Sequence, residues 1–133
     1  MRIARFLYQT KPQWGVIDGE DFRSLPGGPY TNPQPGRAMC KLSQAKLLAP
    51  MDPYRNKIPA MAANYGEKAG RDGPGIFMKQ AGTVIGPGDA IVYPRSCTKV
   101  LHEAEVGIVI AKKARHVRVE EALEYVLGYT CVN

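Results

Sequence analysis

Ile3 to Tyr8 is a short apolar and aromatic run broken only by Arg5, and it predicts the first strand of the fold. Trp14 to Asp18 and Asp21 to Leu25 are two further runs on either side of Asp18-Gly19-Glu20, where the Asp-Gly pair predicts a tight hairpin. From Pro26 to Gly36, proline and glycine are too frequent for regular structure. Lys46 to Ala49 predicts a short strand that runs into a turn at Pro50 to Pro53. Together these elements predict a small β-rich module over residues 1–56.

A second segment, residues 57–133, opens on the apolar run Ile58 to Asn64, which could be a buried strand. A polar loop or short helix from Tyr65 to Pro74 follows, and then a strand at Ile76 to Lys79. Val84-Ile85, Gly86-Pro87-Gly88-Asp89 and Ala90 to Pro94 predict strand, turn and strand. Lys99 to Ile110 is the longest strand candidate, with His102, Ala104, Val106, Ile108 and Ile110 on one face and Glu103, Glu105, Gly107 and Val109 on the other. Val119, Ala122, Leu123 and Val126 recur at helical spacing, with Glu120 and Glu121 in the first turn and Gly128 where a C-terminal cap belongs. Tyr129 to Val132 then opens another strand.

Composition supports the same reading: 14 Gly and 11 Pro in 133 residues argue against a helical bundle and for a β-rich α+β fold of short strands and many turns. The net charge of +6 fits an anionic partner, or basic residues scattered over a wet surface. The densest basic cluster, Lys112-Lys113-Ala114-Arg115, has no interleaved aromatics to stack bases, so no nucleic-acid partner is expected. Cys40, Cys97 and Cys131 have no CxxC spacing, and no signal peptide precedes them; they read as reduced thiols in a cytoplasmic protein. No apolar run approaches the length that spans a bilayer, so no membrane partner is expected.

Candidate chemistry centres on Glu103 and Glu105. Residues two apart on a strand point to one face with Cα atoms about 6.5 Å apart, so two carboxylates can converge on a hard cation such as Mg²⁺, Mn²⁺ or Ca²⁺. The same spacing also occurs on the wet face of an edge strand, where two glutamates need no ligand.

The ordered set Asn64-Tyr65, Phe77-x-Lys79, Val84-Ile85-Gly86-x-Gly88-Asp89-x-Ile91, Pro94 and Glu103-x-Glu105-x-x-x-Val109-Ile110 resembles the fumarylacetoacetate hydrolase family. Ala114-Arg115-x-Val117 and Glu121-Ala122-Leu123-x-Tyr125-Val126-x-Gly128-Tyr129-Thr130 continue the resemblance, which runs from about Pro50 to Asn133. It implies a small N-terminal domain followed by the first part of a mixed β-roll, with one Mg²⁺ (or Mn²⁺ or Ca²⁺) held by three carboxylates. Glu103 and Glu105 would be two of them. The third, in the family, is an Asp just after the residue matched by Asn133, so the chain is expected to be a truncated copy. The resemblance also implies hydrolase, lyase or isomerase chemistry on small 2-oxo or acylpyruvate-type carboxylates, an enolate stabilised on the metal, and a homodimer at full length.

The hydrolases of this family use a His–Glu pair on a lid helix, in the pattern Asn-Tyr-x-x-His with Glu three residues on. Here Lys68 stands at the His position and Arg71 at the Glu position. A lysine with an ordinary pKa of about 10.4 is no general base at neutral pH. Lys68 could pair with a substrate carboxylate, or simply be exposed. Tyr65 and Lys79 match the family's pattern and are the candidate substrate-binding residues, with a core aromatic and a strand-ending lysine as the plainer readings. His102 falls, by alternation, on the face opposite the two glutamates. The missing histidine favours decarboxylation or isomerisation over hydrolysis, since those reactions need no activated water. The alternative to an enzyme is an inactive fragment or pseudoenzyme that acts as a folded or partner-dependent module.

Overall fold

The computed structural model describes residues 1–31, 33–66 and 73–133. The N-terminal module is a five-stranded antiparallel sheet of β1 (Arg2–Tyr8), β2 (Lys11–Asp18), β3 (Asp21–Ser24), β4 (Ala38–Lys41) and β5 (Lys46–Leu47), in the order β4-β3-β2-β1-β5. Alternation on β1 turns Ala4 and Phe6 to the inner face, where they meet Phe22 of β3 and Cys40 of β4. The Phe6 and Phe22 rings stack with centroids 4.0 Å apart. That stack crosses β2 at Gly15, where a Cβ would lie 2.8 Å from Phe6 Cε1 and 2.6 Å from the Arg23 carbonyl oxygen.

The hairpin at Asp18-Gly19-Glu20 forms as expected, with Gly19 at φ 59°. The β1–β2 turn does not announce itself in the sequence: Gln9 and Thr10 carry positive φ without glycine, and β2 starts three residues before the predicted Trp14. Pro12 is tolerated because β3 pairs only from Gly15 to Asp18, leaving that end of β2 with an open side. Strand β4 was not expected. It is four residues long with one inward residue, Cys40, too short to show a period.

Beyond β5 the chain forms two separate hairpins. One pairs β6 (Ile58–Ala62) with β7 (Gly75–Lys79), and the other pairs β8 (Glu105–Ile110) with β9 (Val126–Val132). Three expectations are corrected here. Residues 84–104 contain no strand. Their short apolar runs have strand-like composition, but a strand also needs a partner for its backbone groups, and the described residues supply none. For the same reason the predicted Lys99–Ile110 strand shrinks to Glu105–Ile110, because β9 offers pairing only as far as Val132. The predicted helix is a 3₁₀ stretch, Val119–Tyr125, whose i→i+3 bonds use the same apolar spacing in part. It runs directly into β9, so Gly128 lies opposite Val109 in the ladder rather than capping a helix.

The Gly86–Asp89 turn docks on the N-terminal module. The Asp89 carboxylate accepts from Lys46 Nζ at 2.5 Å and from the Gly86 N–H at 2.9 Å. A Cβ at Gly86 would lie 3.0 Å from the Leu47 carbonyl oxygen, so glycine permits the close approach. The architecture is mostly β with little helix. Among the described residues every buried side chain lies at or before Ala49, so the run from Ile58 forms β6 as a largely exposed strand and not the buried one expected. No described helix is long and apolar enough to cross a membrane.

Candidate functional site

The two glutamates sit where β8 begins. Glu105 is its first residue and faces Val132 across the ladder, and Glu103 lies just ahead of it, outside the strand. Two-residue strand alternation therefore does not carry back to Glu103. Its backbone N–H instead donates to Oδ1 of Asn133 at 2.9 Å. His102, Ala104 and Glu105 from one side and Cys131 to Asn133 from the other line an open groove of about 490 Å³. His102 thus borders the same groove as Glu105; the argument that placed it on the opposite face fails because the strand starts later than expected.

Both glutamates are solvent-exposed hard oxygen donors, the type that suits Mg²⁺, Mn²⁺ or Ca²⁺. Among the described residues no group of three His, Cys, Asp or Glu side chains is placed to hold a metal ion. The donor set fits such a cation in part: two carboxylates are present, and further ligands would have to come from elsewhere. Cys131, a free thiol on the groove wall, is too soft a donor to complete a site for these cations.

Neither Tyr65 nor Lys79 lines this groove. Tyr65 is exposed and lies just after the end of β6. Lys79 ends β7, with its Nζ 5.4 Å from the centre of the Phe77 ring, a cation–π contact within the same strand. Lys68 and Arg71 lie outside the described residues. A larger groove, about 600 Å³, lies on the N-terminal sheet between Lys11, Trp14, Leu25 and Gly28; no acidic residue lines it. Its chemistry gives no reason to prefer it to the Glu105 groove. Trp14 packs edge-on against Tyr30 nearby, and burial raises the Tyr30 phenol above its ordinary pKa although Arg5 pulls it down.

Asn133 is the contact that sequence reasoning missed. It served there only to mark where an Asp should follow, and nothing in a single amide at the end of an apolar run signals a hydrogen bond to a residue thirty positions earlier.

Comparison with known proteins adds the following. The family model described as "Fumarylacetoacetate (FAA) hydrolase C-terminal" matches residues 54–133, and one described as "Rv2993c-like, N-terminal" matches residues 1–50. An uncharacterized protein of Pyrococcus abyssi is 44% identical over 80 residues, covering 56% of this chain and 36% of its own. The mitochondrial oxaloacetate tautomerase Fahd2a of Rattus norvegicus is 31% identical over 94 residues, covering 66% of this chain and 30% of its own. The crystal structure of a 5-carboxymethyl-2-hydroxymuconate delta-isomerase from Mycobacterium smegmatis superposes with a TM-score of 0.87 at 31% identity, covering 98% of this chain and 53% of that one. The chain spans about a third of the length of these two curated relatives and about half of that solved structure.

Proposed function

The chain belongs to the fumarylacetoacetate hydrolase family, and from that premise we propose that it supplies two metal-binding carboxylates, Glu103 and Glu105, to an enzyme acting on 2-oxo or acylpyruvate-type carboxylic acids. The observation that carries this reading is the groove at the mouth of the β8–β9 hairpin, which Glu105 and Asn133 line and to which the Glu103 backbone is tied through Asn133. The register adds to it. Continued past Glu105↔Val132, it sets Ala104 opposite Asn133 and Glu103 opposite the position that follows, where the family resemblance expects the third carboxylate.

When bound, a divalent cation supplies Lewis-acid polarisation of the oxygens at the substrate's 2-oxo acid end. The chain's own part would be to supply the two exposed carboxylates and, beside Glu105, a groove open to a small anion. The surplus of basic residues, a net charge of +6, favours approach of that anion. Isomerisation, tautomerisation or decarboxylation is preferred to hydrolysis, because Lys68 and Arg71 replace the His–Glu pair that would activate water. Relatives named as a tautomerase and an isomerase are in keeping with this. The same reading takes the full-length protein to be a homodimer.

The test is an assay of the full-length protein with Mg²⁺ on oxaloacetate, acylpyruvates and related dicarboxylates, beside its Glu103→Gln and Glu105→Gln variants. Turnover that either substitution lowers by about a hundredfold or more supports the reading. A protein that binds Mg²⁺ but turns over none of these substrates sinks it. A second reading, a folded module without catalysis, is favoured by the two-carboxylate donor set found among the described residues. Calorimetric titration of the 133-residue chain with Mg²⁺ separates the two, since tight binding requires a completed site.

A further inference from the structure

Glu103 precedes β8, so the β8–β9 ladder, which stops at Glu105↔Val132, does not hold it. The approach to it, residues 90–104, contains no strand either, and Glu103 itself is exposed. Its fixed point is the 2.9 Å hydrogen bond from its N–H to Oδ1 of Asn133. In the continued register Asn133 faces Ala104, so its side chain reaches one position further along to meet the Glu103 backbone. Asparagine suits this place chemically. Its amide oxygen accepts an N–H without setting another negative charge beside Glu103 and Glu105, as an aspartate would.

We infer that Asn133 is a positioning residue: its side chain extends the hairpin's grip to Glu103 and so presets the Glu103 carboxylate beside Glu105. The inference rests on the metal reading above and adds to it a residue that touches neither cation nor substrate. Groups that orient a ligand from behind are commonly worth about tenfold to a hundredfold in metal affinity.

Two measurements on the full-length protein test it. Amide hydrogen exchange resolved by NMR should show the Glu103 N–H exchanging about fivefold faster or more in Asn133→Ala, with the amides that bond across the β8–β9 ladder unchanged. Asn133→Asp keeps an acceptor oxygen and should restore the Glu103 protection. Mn²⁺ titration followed by electron paramagnetic resonance should show about tenfold weaker binding in Asn133→Ala. An unchanged Glu103 amide overturns the inference, and so does loss of protection throughout the hairpin, which would make Asn133 a clamp on β9 instead. A Mn²⁺ isotherm that Glu105→Gln weakens but Asn133→Ala does not overturns the Asn133 role alone. An isotherm indifferent to both Glu103→Gln and Glu105→Gln overturns the metal reading itself.

Discussion

Phe6 and Phe22 are fully buried, and their stacked rings form the centre of the chain's principal core. Phe22→Ala removes one ring from a core with few other large side chains, and a loss of about 3–5 kcal/mol is expected, read as a lowered urea midpoint. Gly15→Ala should lose about 1–3 kcal/mol in the same measurement, because the new methyl meets the Phe6 ring and the Arg23 carbonyl. Glu105→Gln should behave in the opposite way. Its side chain is exposed and makes no ion pair among the described residues, so the midpoint should stay put while Mn²⁺ affinity falls about tenfold. At this scale the glutamate pair was legible, since spacing and residue type are properties of the chain. Asn133 was not, since its partner lies across a strand pair that only folding creates.

At the scale of elements, the Gly86–Asp89 turn matters most, because it joins the N-terminal sheet to the segment leading to the glutamates. The hydrogen bond from Lys46, joined by one from the Gly86 N–H, holds the Asp89 carboxyl below its ordinary pKa against a small opposing effect of burial. A carboxyl lowered in the folded state contributes stability that is present above its unfolded pKa of about 3.9, and that stability is lost as pH falls through the lower folded value. Urea midpoints measured from neutral to strongly acid pH should therefore drop in that window, and Asp89→Asn should flatten this part of the profile. The element readings that succeeded were those in which a local signal and an available partner coincide, as in β1, the Asp18-Gly19-Glu20 hairpin and the strand at Ile76 to Lys79. Those that failed, at residues 90–94 and 99–104, had the apolar pattern of a strand and no partner among the described residues. The 3₁₀ stretch failed more narrowly, because an i, i+3 spacing belongs to both helix types.

Across the whole molecule burial is lopsided. The N-terminal sheet has a closed core, whereas Val106, Ile108 and Ile110 stand 73%, 57% and 50% exposed on one face of β8. A strand pair with an apolar face open to water and two free edges is an adhesive surface. The isolated chain should therefore show concentration-dependent self-association by analytical ultracentrifugation, and Val106→Lys with Ile108→Lys should shift it towards monomer while the N-terminal sheet stays folded. The amino-acid sequence by itself determined the β-rich class, the turn chemistry, the family and the Glu103–Glu105 pair, all of which rest on residue type, order and short-range spacing. Tertiary structure alone decided which apolar runs became strands, where β8 starts, how Asp89 ties the turn to Lys46, and which side chain holds Glu103. Those outcomes depend on pairing between residues far apart in the chain, and no local pattern encodes where a distant partner will begin or stop.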